Sequence, residues 1–173
     1  LQDYYRRVNN EPDAIFGFAT GSSPIPLYQE LIRMNREGLI DFSRARSWNL
    51  DEYVGLNPDH PCSYRDFMNR QLFDHINIGK ENTHVPSGTA CDLEAEAAAY
   101  DTAIEKAGGI DVQLLGIGHN GHIGFNEPGD TFIWPTHVVT LTASTIEANT
   151  RFFHSADEVP RKAISMGIGS IML

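Results

Sequence analysis

Short apolar runs alternate with longer stretches of helical periodicity along this chain, and few folds accommodate that order. Residues 14–19 (AIFGFA) form a brief apolar run that reads as a buried strand. A turn of small residues follows at 20–24. Leu27, Leu31, Ile32 and Met34 then recur at helical spacing as far as Gly38, with Pro24 suited to the first turn. Residues 46–50 read as a second strand, with Asp51-Glu52-Tyr53 at its carboxyl end. Ser63 opens a helix whose apolar face holds Tyr64, Phe67, Met68, Leu72 and Phe73. Residues 92–107, rich in Ala and Glu, are strongly helical, and Gly108-Gly109 stop them. A third strand is expected at 110–115, a further strand at 138–142 and a helix at 144–153. Residues 163–172 are apolar without a clear period, and 1–8 reads as the tail of a helix. Strands that alternate with helices imply an α/β fold with an open, mostly parallel sheet and right-handed crossovers. Ligands in such sheets bind beyond the carboxyl ends of the strands. Three polar clusters fall there, at 20–23, 51–52 and 119–127, which is the reason to treat them as one site.

Bulk properties narrow the partners. The 173 residues fit one domain, and 41% hydrophobic content supports a real core. A net charge of −10 without any Lys/Arg run argues against a nucleic-acid partner, because phosphate backbones demand a basic patch. Cys62 and Cys91 are too few for a disulfide framework and lack zinc spacing. One bridge between them is conceivable, but two reduced thiols in a cytoplasmic protein is the plainer reading. No apolar run approaches the roughly 20 residues of a membrane helix, and the polar start shows no signal peptide. The sequence opens without Met and stops inside an apolar stretch, so both ends read as cut.

The clusters differ in how much they say. Thr20-Gly21-Ser22-Ser23 joins a strand to a helix N-terminus, where free N–H groups and hydroxyls can cradle a phosphate. The same residues also make an ordinary helix cap and tight turn. Residues 116–121 (GIGHNG) match G-x-G-x-x-G after a strand, yet the following HIGFNEPG is too rich in Gly and Pro for a helix. Leu141 and Thr142 stand where a dinucleotide fold needs an acid, so a nicotinamide cofactor is rejected. The loop nevertheless holds His119, Asn120, His122, Asn126 and Glu127, a density of groups suited to proton transfer. A metal held by His119, His122 and Glu127 competes weakly, because ligands normally project from a stiff helix or ladder. Asp51 and Glu52 are neighbours on a strand, so at most one of them faces a shared pocket. A carboxylate there must be partly desolvated to act as a base on carbon.

Three strings taken together resemble the glucosamine-6-phosphate deaminase (isomerase) family: TGSSP at 20–24, NLDEY at 49–53 and LLGIGHNGHIGFNEP at 114–128. Their order and spacing also fit, as do ANTRFF at 148–153 and Val159-Pro160, so the likeness covers nearly the whole chain. The resemblance implies a Rossmann-like three-layer sandwich and a cofactor-free, metal-free reaction. Glucosamine 6-phosphate and water would give fructose 6-phosphate and ammonia. By position, Asp51 is then the base that shuttles a proton between C2 and C1. His122 serves ring opening, assisted by Asn120 and Glu127. Thr20, Gly21, Ser22, Ser23 and Arg151 match the phosphate-binding positions. Many members carry Asp at the position of Asn120; a neutral amide can orient His122 but cannot be its charged partner. The family places a further phosphate-binding lysine, and its last strands and helices, beyond the end of this sequence. Trp134-Pro135-Thr136-His137 stands where regulated members carry arginines, so no activation by an amino-sugar phosphate is expected. A galactosamine-6-phosphate isomerase, a 6-phosphogluconolactonase-like enzyme and a non-catalytic sugar-phosphate sensor are alternatives on the same scaffold. Family members differ in oligomeric state, which leaves a homo-oligomer open.

Overall fold

The computed structural model describes residues 11–118 and 121–172. The helical tail expected at 1–8, and His119 and Asn120, lie outside them. The elements run β1 (Ile15–Phe18), α1 (Ile25–Arg36), β2 (Arg46–Asn49), β3 (Asp51–Tyr53), α2 (Tyr64–Gln71), β4 (Thr83–His84), α3 (Leu93–Ala107) and β5 (Val112–Gln113). They continue with β6 (His137–Thr140), α4 (Ala143–Asn149), β7 (Lys162–Ser165) and α5 (Ile168–Met172). Four strands form a parallel sheet in the order β4-β2-β1-β5. Phe16 and Phe18 point from β1 into a core shared with Tyr28, Leu31 and Met34 of α1 and Met68 of α2. Ile15 and Trp48 point the other way, toward Tyr100 and Ile104 of α3. Helices therefore cover both faces, giving the three-layer α/β arrangement expected of this chain.

The local signals behave as their chemistry requires. The Ser63 hydroxyl accepts from Asp66 N at 3.0 Å and caps α2. Asp92 accepts from Ala95 N at 3.0 Å and caps α3. Gly108, in the left-handed region at φ +104°, closes α3. Cys62 and Cys91 are free thiols. Among the described residues no helix is long and apolar enough to cross a membrane.

Three expectations needed correction. The strand expected at 110–115 shrinks to Val112–Gln113, which pairs only with Phe16 and Gly17. The helix expected at 144–153 ends at Asn149 and gives way to a 3₁₀ turn, Thr150–Phe152. The largest difference is a second sheet, antiparallel, in the order β3-β7-β6. Asp51-Glu52-Tyr53 does not end a strand but begins one, and the apolar 163–172 stretch supplies its partner β7 and then α5. The segment before β6 is pinned to α3, where the Asp101 carboxylate accepts from Thr136 N and Ser170 Oγ, each at 2.8 Å.

Candidate active site

Leu50 is the point at which one run of chain changes sheets. Its N–H donates to Phe18 O in the parallel sheet (3.1 Å), and its carbonyl accepts from Met166 N just past β7 (2.8 Å). Asp51 follows directly. It thus stands at the carboxyl end of the parallel strands and at the first position of the antiparallel sheet, opposite Ser165. The residue is only 7% exposed. Burial, with the neighbouring Glu52 charge as a lesser cause, pushes its carboxyl up to about 7.

Strand alternation separates the two acids. The Glu52 carboxylate accepts from Tyr53 N at 2.8 Å and from Tyr64 N and Arg65 N at 2.9 Å each. It therefore serves the first turn of α2, where unpaired N–H groups favour an anion. Burial raises its pKa, and these donors pull it back in part.

Asp51 looks onto the turn at 121–126. Ile123 and Asn126 exchange backbone hydrogen bonds of 3.1 and 2.9 Å across it. Phe125 N donates to Ser165 Oγ at 3.1 Å, and the Asn126 amide donates to Met166 O at 2.7 Å, so the turn is docked onto the end of β7. Gly124, at φ +59°, lies against both acid and serine. A methyl group there would stand 3.0 Å from Ser165 Oγ and 3.5 Å from Asp51 Oδ2. The His122 ring rests on Gly118, where a Cβ would fall 2.0 Å from the ring. The second glycine of the G-x-G string thus makes room for an imidazole and not for a pyrophosphate, and a turn follows it instead of a helix. Glu127 Oε1 accepts from Thr145 Oγ1 at 2.9 Å, tying the far end of the loop to α4.

The loop at 20–23 precedes α1. Gly21 takes φ +100°, and Ser22 and Ser23 are exposed. No side chain caps α1, and its first turn holds no acid, which leaves a positive helix end facing solvent. Thr20 is half-buried, and Tyr64 of α2 stacks on Phe125 of the 121–126 turn with ring centroids 6.2 Å apart. Arg151 is exposed, with its guanidinium 4.7 Å from the centroid of the Phe152 ring. Among the described residues it makes no hydrogen bond to 20–23. The structure therefore gathers Asp51 with the His122 turn and leaves Arg151 apart. Ser165 and Tyr64 are the partners that sequence reading did not single out. Ser165 carries no local signal, and Tyr64 is marked only as an apolar-face residue.

A parallel sheet covered on both faces, with a desolvated carboxylate at the mouth of its strands and a polar turn over it, defines a Rossmann-like α/β protein. Residues 3–145 match the family described as glucosamine-6-phosphate isomerases/6-phosphogluconolactonase, and the chain belongs to it. Glucosamine-6-phosphate deaminase of Thermoanaerobacter sp. (strain X514) is 59% identical over 167 residues, spanning 96% of this chain and 66% of that protein. The enzyme of the same name from Lachnoclostridium phytofermentans is 61% identical over 162 residues, spanning 94% of this chain and 69% of that one. A solved monomeric glucosamine-6-phosphate deaminase superposes with a TM-score of 0.95 at 46% identity, covering 99% of this chain and 71% of its own. A 6-phosphogluconolactonase from Thermotoga maritima, at 19% identity and TM-score 0.69, shares the fold. The chain thus spans about two thirds of the length of its curated relatives.

Proposed function

We propose that the protein is a glucosamine-6-phosphate deaminase, taking the amino-sugar phosphate and water to fructose 6-phosphate and ammonia. The observation that carries the reading is Asp51, a buried carboxyl held near 7 against a polar turn. A base on carbon works best when its pKa lies near the working pH. His122 handles the proton exchange that opens the pyranose ring, oriented by Asn120 and Glu127. In the open form the C1 aldehyde acidifies C2–H. Asp51 takes that proton, the C–H electrons form the C1–C2 double bond of an enolamine as the C1–O π bond breaks and O1 takes a proton from solvent, and the same carboxyl returns the C2 proton to C1. Water then adds to the resulting C2 imine and ammonia leaves. The uncapped start of α1, with Thr20, Gly21, Ser22 and Ser23, holds the phosphate, and Arg151 adds a bidentate cation to it. Ammonia release from glucosamine 6-phosphate by wild type and Asp51→Asn tests the assignment. Loss of turnover with retained phosphate binding is expected, and near-normal turnover in the variant would sink it.

A further inference from the structure

Asn126 belongs to the polar cluster at 119–127, yet the proposed chemistry gives it no part. It is half-buried, and both N–H groups of its amide are spent on backbone carbonyls. One goes to Ile123 O at 2.9 Å, beside His122, and the other to Met166 O at 2.7 Å. Met166 in turn donates its own N–H to Leu50 O at 2.8 Å, and Asp51 follows Leu50. One side chain therefore ties the peptide beside His122 to the residue that fixes the peptide before Asp51. The backbone bonds between Ile123 and Asn126 already close the turn, so what the amide adds is the anchor on Met166. Gly124 sits inside this tie. A Cβ there would lie 3.7 Å from Asn126 Nδ2 and 3.5 Å from Asp51 Oδ2.

We infer that Asn126 is a positioning residue, its amide setting the separation of His122 and Asp51 by holding Ile123 O and Met166 O at once. The inference rests on the roles proposed for those two residues. Ring opening and removal of the C2 proton act on one bound sugar, so both groups must reach it from a turn that keeps its place. A misplacement of about 1 Å can cost 10²-fold in rate. An amide suits this position and a carboxylate does not. Both neighbours are carbonyl oxygens, which need donors, and an ionised Asp would set acceptors against acceptors. Ser165 is a partial substitute. Its Oγ accepts from Phe125 N at 3.1 Å and lies 3.4 Å from Met166 O, so it docks the same turn on the same carbonyl less closely.

Asn126→Asp and Asn126→Ala separate this clamp from a proton-transfer role and from mere shape. With glucosamine 6-phosphate, kcat for ammonia release should fall roughly 30–100-fold in Asn126→Asp and roughly tenfold in Asn126→Ala, where Ser165 can still hold the turn. KM should change less than about threefold, because the phosphate loop is untouched. Hydrogen exchange at Phe125 N–H in the free protein should quicken in both variants, although that group donates to Ser165 and not to Asn126. If Asn126→Asp does not fold, Asn126→Ala carries both measurements. Wild-type kcat in Asn126→Asp, a raised KM with unchanged kcat, or unaltered exchange at Phe125 overturns the clamp. The first would mean that shape alone matters at 126, and the second that the amide binds substrate. A wild-type protein that releases no ammonia contradicts the functional reading, and the positioning role falls with it, whereas the exchange rates still report whether the amide holds the turn.

Discussion

The parallel sheet β4-β2-β1-β5 is enclosed by helices on both faces, and Phe16, Phe18, Ile15 and Trp48 fill its two cores, although Ser47 and Asn49 of β2 are also buried. The antiparallel sheet β3-β7-β6 is different. It places Asp51 and Ser165 directly opposite one another at its edge with the loop, and both are buried polar residues. One sheet is built from what water drives together, and the other uses the enclosure so created to alter a carboxyl group. The cost of desolvating Asp51 is carried by the packing of the first sheet, through the run of chain that passes from β2 to β3 at Leu50.

Asp51→Asn strains this comparison most. Turnover should fall roughly 10²–10⁴-fold, the contribution of a general base, by ammonia release. The same change should stabilise the fold at high pH. The folded carboxyl binds its proton more tightly than the unfolded one, so its contribution to stability is complete below about 3.8 and is lost as pH rises through about 7. At pH 8 the variant should be more stable by up to about 4 kcal/mol, and at pH 4 the melting temperatures should converge. An equal gap at both values would mean that Asp51 is solvated. For the same reason kcat/KM of the wild type should decline below pH 7, because the base must be ionised.

Gly124→Ala comes next. A side chain in the left-handed region costs about 1–2 kcal/mol, and here its Cβ also presses on Ser165 and Asp51. Denaturant titration should show the loss, with kcat falling alongside it. Glu52→Gln probes the opposite face of the same strand. It removes the charge that helps raise the Asp51 pKa, so the acid limb of the rate profile should move to lower pH. An acid limb that stays put would leave burial as the whole cause. The smallest effect belongs to Thr145→Ala, which frees Glu127 from its 2.9 Å bond to α4. One neutral-to-charged hydrogen bond at a half-buried site should change kcat only a few-fold, with the melting temperature nearly unmoved.

Most of the parallel sheet was legible because its signals are local. The run at 14–19, the Ser63 and Asp92 caps and the Gly108 stop each act within a few residues of where they stand. The antiparallel sheet was not, because nothing near Asp51 announces Ser165 as its neighbour. That pairing is a tertiary choice, made when β7 folds back, and an apolar stretch without a clear period does not reveal it. The site divides the same way. The His122 turn and Asp51 stand out by composition and spacing, and strand alternation separates Asp51 from Glu52. The job of Glu52 as acceptor for a helix twelve residues later, and the stacking of Tyr64 on Phe125, depend on how α2 docks.

The two backbone hydrogen bonds of Leu50, to Phe18 on one side and Met166 on the other, also bear on how the protein is born. Asp51 is synthesised early, and its opposite number Ser165 is not yet on the ribosome when β1 and β2 can already pair. Until β7 arrives, the carboxyl remains an ordinary solvated acid. Closing so long a loop is slow, since its entropy must be surrendered before any contact rewards it. The nascent chain therefore carries β1 and β2 before Asp51 meets the partner that it faces in the folded protein.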